Sequence, residues 1–303
     1  MHAVTRRVVF ESNDFRIGHV VARPSSPECG EVECQNENVL VLPLAGVFAK
    51  HEGPRRYVIG TPNHAVLMSA GSPYRTSFPG GIGDRCLTLW FSGAALAQAL
   101  PQAVSRDGFD ASAFASHALL PPTAMLGRSL LWRQFARGEP DAVEVEELGI
   151  GLLATVLRVA RKKTHNRILS DRRSGSERRL RQVECVKEAI SLQPERKWTL
   201  GALAALAYVS PYHLARTFRE DVGSSVYRYL LRARLARALE IVLDADTDLA
   251  AIALDTGFAS HSHFTARFRA LFGLTPTALR RRASARTAAE LRKIVTAGAL
   301  VPV

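Results

Sequence analysis

The chain has 303 residues, room for about two domains of roughly 150 residues each. Apolar residues make up 47% and charged residues 22%, a balance that excludes a chain disordered throughout. The net charge of +12 is lopsided, with 17 Lys/Arg against 15 Asp/Glu in residues 1–165 and 23 against 13 in residues 166–303, which implies an anionic partner for the back half alone.

From Ile17 to about Phe91 the apolar residues come in strand-sized pieces: Val39 to Leu44, Gly46 to His51, Tyr57 to Ile59, Ala65 to Met68 and Arg85 to Phe91. Turn clusters such as Gly60-Thr-Pro-Asn, Gly71-Ser-Pro and Pro79-Gly-Gly-Ile-Gly separate them. Short strands at this spacing predict a β-barrel or jelly roll over residues 1–95. Residues 96–165 read as a helical connector. Within it, Glu144 to Ala160 carries Val145, Leu148, Leu152, Val156 and Val159 at three- and four-residue steps. That stripe either caps the barrel or forms the seam of a homodimer. Residues 166–182 are basic and poor in apolar side chains, as an interdomain linker would be.

Residues 183–283 read as helical throughout. Thr199 and Asp248 stand where helices need an N-cap, and Ser210-Pro211 and Thr275-Pro276 pair a cap with a first-turn proline. Gly223 and Gly273 stand where helices end in a left-handed residue. Val226 to Leu243 forms one unbroken pattern, with Tyr227, Leu230, Leu231, Leu235, Leu239 and Val242 as its apolar positions. A helix of that length is about 27 Å long, near the ~34 Å between successive major-groove faces of B-DNA. Residues 284–303 form a tail to which the sequence assigns no role. The expected fold is therefore a multidomain α+β chain, with a β-rich front and an all-α back.

Two stretches of the back half repeat each other. Ser210 to Gly223 and Ser260 to Gly273 match at Ser210/Ser260, His213/His263, Phe218/Phe268, Arg219/Arg269 and Gly223/Gly273, and a short helical pattern precedes each. A helix, a tight turn and a second, basic helix, in duplicate, suit the reading of two successive major-groove segments. At Ile252-Ala253-Leu254, Gly257-Phe258-Ala259-Ser260, Ser262-His263-Phe264, Phe268-Arg269 and Phe272-Gly273-Leu274-Thr275-Pro276 the sequence resembles the AraC/XylS family of bacterial transcription regulators. Residues 1–95 are more loosely similar to the cupin-like sensing domain of many members, on strand rhythm and Ala70-Gly71-Ser72-Pro73-Tyr74. The resemblance implies a double helix-turn-helix domain and a regulator of promoters rather than an enzyme. The implied partners are double-stranded DNA, RNA polymerase, a small-molecule effector and a second copy of the chain, with no cofactor or metal.

Helical spacing puts Leu214, Phe218 and Val222 in the core of the first unit, and Phe264, Phe268 and Phe272 in that of the second. The outward positions nominate Tyr212, Ala215, Arg216, His261, Ser262 and Thr265 as base readers, and Thr199, Ser210, Arg219, Ser260, Arg267 and Arg269 as phosphate contacts. Arg267 departs from the family's spacing by one residue, which turns it about 100° around its helix and away from the bases. His213 and His263 lack ligand-type neighbours and read as packing or phosphate contacts. His19, His51 and His64 lack the His-x-His spacing of a cupin metal site, Cys86 reads as a buried structural thiol, and Cys29 and Cys34 form no ligand set with nearby histidines.

Four scattered cysteines (Cys185 is the last) do not suit a secreted disulfide framework, and no leader or bilayer-spanning run is recognisable, so a cytoplasmic protein without membrane attachment is expected. Two rival readings are a cupin-type metal enzyme fused to a DNA-binding module and a helical interaction module. The first lacks its ligands. The second has only two repeats where a solenoid needs at least three.

Overall fold

A computed structural model describes residues 3–284 apart from 55, 102–103, 106–107, 110–113, 139, 172–176 and 245–246, with backbone alone at 104–105, 108–109, 162–171 and 284. The front part is β-rich and the back part helical. Strands β1 (Ala3–Glu11), β2 (Phe15–Arg23), β9 (Asp84–Phe91), β4 (Val39–Gly46), β7 (His64–Met68) and β12 (His117–Leu119) form one antiparallel sheet in that spatial order. A second sheet holds β3 (Glu33–Cys34), β8 (Pro73–Ser77), β5 (Phe48–His51) and β6 (Tyr57–Gly60). A two-stranded ribbon, β10 (Val104–Ser105) with β11 (Gly108–Phe109), stands apart.

Side-chain alternation sorts the larger sheet into two faces. Ile17, Leu40, Leu42, Leu87 and Leu89 point into a core shared with the helices, while Ala22, Val39, Val41 and Cys86 point toward the smaller sheet. Both faces are covered, so β4 reads as a continuous apolar run. Helices α1 (Gly93–Ala99), α2 (Pro122–Arg137) and α3 (Ala142–Asp171) cover the first face.

The stripe on α3 is covered by its own chain. Val145, Leu148, Leu152 and Val156 are buried in the core with Phe15 and the α1 and α2 residues, and Val159 packs against it. Of the two alternatives, the packing is that of a stripe covering its own front-half core. A seam between two chains made from these five side chains is incompatible with this packing, because each apolar surface can be buried once. Two boundaries also move. Strand β12 joins the large sheet, so the front unit extends past residue 95 into the expected connector. The expected linker over 166–182 is helical at both ends, with α3 reaching Asp171 and α4 (Glu177–Leu192) starting at Glu177. The tail beyond 284 lies outside the described residues.

The back half continues with α5 (Leu200–Leu206), α6 (Pro211–Val222), α7 (Val226–Asp244), α8 (Leu249–Asp255), α9 (His261–Phe272) and α10 (Pro276–Ser284). Its first helices share a core of Val186, Ile190, Leu203, Leu214, Phe218 and Tyr229. The later ones instead join the core of the front half, through Leu235, Leu239, Ile252, Phe264, Phe268 and Phe272 among others.

One face of α7 is fastened to the front half by polar groups. Asn63 Nδ2 donates to the Tyr229 carbonyl at 3.3 Å, and the Tyr229 hydroxyl lies 3.5 Å from His64 Nδ1. Arg232 donates to the Leu120 carbonyl. Glu240 accepts from Ser129 Oγ at 2.5 Å and from Arg128 Nη2 at 3.3 Å, and Arg128 also donates to the carbonyls of Pro43 and Pro62. Residues 229, 232 and 240 recur at helical spacing on one side of α7, so the three fastenings act along one line. A fourth lies on α4, where Glu184 accepts the Ile59 N–H at 2.7 Å and Lys187 Nζ at 2.7 Å. Burial pushes Arg232 down to about 10, lowers Arg128 and raises Glu240, the direction expected of charges removed from water.

Candidate nucleic-acid interface

Two helix pairs, α5/α6 and α8/α9, are built on the same local chemistry. Thr199 Oγ1 accepts the Ala202 N–H at 3.1 Å, and Asp248 Oδ2 accepts that of Ala251 at 3.3 Å. Ser210 and Ser260 cap the second helix of each pair by accepting the His213 and His263 N–H groups, each at 3.2 Å. Each cap satisfies one of the free donors of a helix start. Gly223 and Gly273 close the helices in the left-handed conformation, with φ of 76° and 77°. The three hydroxyls still have a hydrogen to donate outward, so capping and phosphate contact are compatible roles for Thr199, Ser210 and Ser260.

On α6, Leu214, Phe218 and Val222 are buried as expected, and Thr217 is buried with them by donating to the His213 carbonyl at 2.8 Å. Tyr212, Ala215, Arg216 and Arg219 are exposed. On α9, Phe264, Phe268 and Phe272 form the buried stripe, while His261, Ser262, Arg267 and Arg269 are exposed and Thr265 is half-buried. The position that Arg216 occupies on α6 belongs to Ala266 on α9. Arg267 stands at the register of the core-flanking Thr217, where its Nε donates to His263 Nε2 at 3.3 Å. His263 also meets the Phe258 ring edge-on with centroids 5.6 Å apart.

Arg216 is not idle in the free protein. Its Nε donates to Glu220 at 3.1 Å, and Glu220 accepts a second bond from Arg179 at 2.7 Å. The hydrogen bonds from Arg216 and Arg179 hold the Glu220 carboxyl below its usual range. An exposed pair of this kind is worth about 0–1 kcal/mol, less than the ~1–3 kcal/mol of a bidentate contact to guanine. The tether therefore positions the guanidinium without withholding it.

Sequence reasoning overlooked Tyr208. The caps pair Thr199 with Asp248, 49 residues on, whereas Ser210 pairs with Ser260, 50 residues on, so the second turn is one residue longer. Counting from the first caps aligns Tyr208 with Gly257. Both have positive φ, 54° and 86°, and Tyr208 is the one non-glycine residue so placed among the described residues. Its side chain is 88% exposed. A left-handed non-glycine residue costs roughly 1–2 kcal/mol, and this ring recovers little of it by burial. Aligning the repeats from their first caps would have revealed the mismatch.

The loop between α4 and α5 ties the pairs together. Arg234 on α7 donates to the carbonyls of Pro194 at 2.7 Å and Arg196 at 2.9 Å, and Arg237 pairs with Glu195 at 2.7 Å. Gly257, in the α8/α9 turn, lies so close that a Cβ there would sit 2.7 Å from the Glu195 carbonyl oxygen.

The front-half histidines have structural surroundings. His19 stacks on Trp132 with centroids 3.9 Å apart, His51 bonds Ser77 at 2.8 Å, and His64 lies between Thr61 and Tyr229. Cys86 is buried, and burial keeps its thiol well above the usual range. No helix among the described residues is long and apolar enough to cross a membrane.

A helix-turn-helix domain family matches residues 203–282. The HTH-type transcriptional regulator GlxA of Rhizobium meliloti (strain 1021) is 39% identical over 97 residues, covering 32% of this chain and 30% of the relative. The bifunctional transcriptional activator/DNA repair enzyme AdaA of Bacillus subtilis (strain 168) is 30% identical over 98 residues, covering 32% of this chain and 46% of the relative. The match thus spans less than half the length of either relative. Among solved structures, the DNA-binding domain of AdpA in complex with a target DNA is 30% identical, covering 35% of this chain and 94% of that one, with a TM-score of 0.33. A probable AraC family regulator from Rhodopseudomonas palustris CGA009 is also 30% identical, covering 34% and 97%, with a TM-score of 0.33. The family match runs from within α5 to α10, and residues 203–282 of this chain are a helix-turn-helix domain, similar to those of relatives named as HTH-type and AraC-like transcription regulators.

Proposed function

We propose that this chain is a sequence-specific transcription regulator of the AraC type, acting in the cytoplasm, which reads a bipartite promoter site with α6 and α9 under control of a signal sensed by its front half. The observation that carries the reading is the pair of exposed faces, Tyr212, Ala215, Arg216 and Arg219 on α6 and His261, Ser262 and Arg269 on α9 with the half-buried Thr265 beside them, borne on helices fixed by shared packing. Arginines supply affinity through counterion release, and the few side chains that reach base edges supply sequence preference. One chain brings both reading helices, so a bipartite site needs no second copy. The polar fastenings along α7 are the route by which a change in the front half would bias the reading helices. RNA polymerase is the partner such a regulator would address once bound.

Selection of preferred sites from random DNA tests the division of labour. Arg216→Ala is expected to relax preference in one half-site, at a cost of ~1–3 kcal/mol on the best site. Arg267→Ala should weaken all sequences alike, because its register turns it to the flank of α9. A changed sequence preference in Arg267→Ala alone would overturn the assignment.

Tyr208 gives a second test. Replacing it by glycine relieves about 1 kcal/mol of backbone strain, partly offset by the freer unfolded chain. Tyr208→Gly should therefore be at least as stable as the parent in urea unfolding. Its DNA affinity should nonetheless fall, because the ring stands beside the N-terminus of α6, where the groove is read. Equal affinity would remove Tyr208 from the interface.

A further inference from the structure

Between the two sheets lies a cavity of about 1170 Å³, open to solvent at one side. Its walls mix apolar side chains, Val41, Phe48, Met68, Tyr74, Phe78 and Trp90 among them, with polar and charged ones. Strand β9 crosses this wall with Asp84, Cys86 and Thr88 in alternation. Thr88 is satisfied by the Gly18 carbonyl at 3.2 Å. Cys86 donates its thiol hydrogen to Asp84 Oδ2 at 2.7 Å. Asp84 has no ion-pair partner among the described residues, although it is a carboxylate largely withdrawn from water.

We propose that the cavity takes an organic cation, a protonated amine on an apolar or aromatic body, with the Asp84 carboxylate as counter-charge and the apolar wall residues around the rest. The proposal rests on the front half being the sensing part, and names what it senses. Two independent features favour a cation. First, Asp84 lacks a counter-charge that a ligand ammonium would supply, and charge pairing is worth more at a partly buried site than in open water. Second, the charged groups lining the cavity are Asp84, Glu28, Glu31 and Glu33 against Arg6 and Arg75, with Arg6 already paired to Glu33 at 3.0 Å. A carboxylate or phosphate ligand would meet this field with the wrong sign. Tyr74, Phe78 and Trp90 line the cavity as aromatic residues of the kind that attract ammonium groups, and Trp90 already carries the Arg16 guanidinium 5.0 Å from its ring centroid.

The same arrangement fixes the pH dependence. Burial raises the Asp84 carboxyl to about 6, and the Cys86 hydrogen bond offsets part of that rise. Cys86 and Tyr74, which also face the cavity, are raised by burial and stay neutral throughout the window that follows. Amine binding requires Asp84 ionised, so affinity should rise about tenfold from pH 5 to pH 7, following its deprotonation. Because the folded carboxyl titrates above the unfolded one, ionising it destabilises the fold as pH rises between the two values. Asp84→Asn should therefore melt at higher temperature than the parent at pH 7 and show no gain at pH 4, which verifies that the variant is folded.

The test is calorimetric titration of the full chain with 2-phenylethylamine, 2-phenylethanol and 3-phenylpropanoate. The expected result is a preference of at least tenfold for the amine, reduced to near parity in Asp84→Asn, with binding of all three weakened in Val41→Phe, whose ring would intrude into the cavity beside Thr88. Preference for the alcohol or the carboxylate, lost in Val41→Phe, would overturn the amine assignment and leave the cavity as the sensing site. Binding of none of the three, or equal binding to the parent and Val41→Phe, would overturn both. An amine preference that survives in Asp84→Asn would overturn the role of Asp84.

Discussion

Glu240→Leu is expected to destabilise the chain by about 3–5 kcal/mol, because it leaves the Arg128 guanidinium buried without its carboxylate. Arg128 has no exposed surface at all, and Glu240 is 8% exposed. The remaining acceptors of Arg128 are the Pro43 and Pro62 carbonyls and the Ser129 hydroxyl, which carry no net charge to offset the cation. Arg85, 4.0 Å from Glu240, would lose a partner as well. The double variant Arg128→Met/Glu240→Leu should recover most of the loss, since two apolar side chains of similar size remove both desolvation penalties together. Urea unfolding of the two single variants and the double one measures this coupling. A Glu240→Leu variant within 1 kcal/mol of the parent would show that water reaches Arg128, and that α7 is not fastened to the front half in the way described.

Gly257→Ala is the second large expected effect, at about 2–4 kcal/mol of stability, from left-handed strain and overpacking together. Conformation alone does not make the position intolerant, since Tyr208 occupies the matching turn with a φ of 54°. Space does. The added methyl would lie 2.7 Å from the Glu195 oxygen and 2.8 Å from its Cα, backbone atoms held in place by the Arg234 bonds to Pro194 and Arg196. Gly223→Ala is the internal control, with a φ of 76° but open space around its Cβ, and should cost only ~1–2 kcal/mol. The turn of the second pair would move off the α4/α5 loop in Gly257→Ala. Its DNA footprint should therefore weaken at the α9 half-site while keeping the α6 half-site, and equal loss at both would contradict the contact.

The helix pairs were legible because their information is local. Thr199, Ser210, Asp248 and Ser260 announce helix starts by their own side chains, Gly223 and Gly273 announce the ends, and the phenylalanines of α9 repeat at four-residue steps. The main strands were legible for the same reason, although β1 and β8 were not anticipated. Strand β1 is exposed over most of its length and shows no burial pattern, and β8 begins at Pro73, inside a turn signal. The seam between the halves was invisible. Arg128, Glu184, Lys187, Arg232 and Glu240 look like surface charges one at a time, and Tyr227 looked like core, yet the five charges are buried and Tyr227 is 59% exposed. A charge is buried only when a partner meets it. For Glu240 that partner is 112 residues away, and for the Ile59 N–H it is Glu184, 125 residues on. No window of sequence contains both ends of such a bond.

Halves that bury side chains in one core are costly to exchange one at a time. A recombination event joining this back half to another front half would have to bring an acceptor for Arg232, a cation for Glu240 and a surface shaped to Leu235, Leu239 and Phe268. Few foreign partners would carry all three. In a lineage built this way, new signals would be acquired by changes within the existing cavity and new promoters by changes on α6 and α9. The seam between them would change only by paired substitutions, one on each side, fixed close together in time.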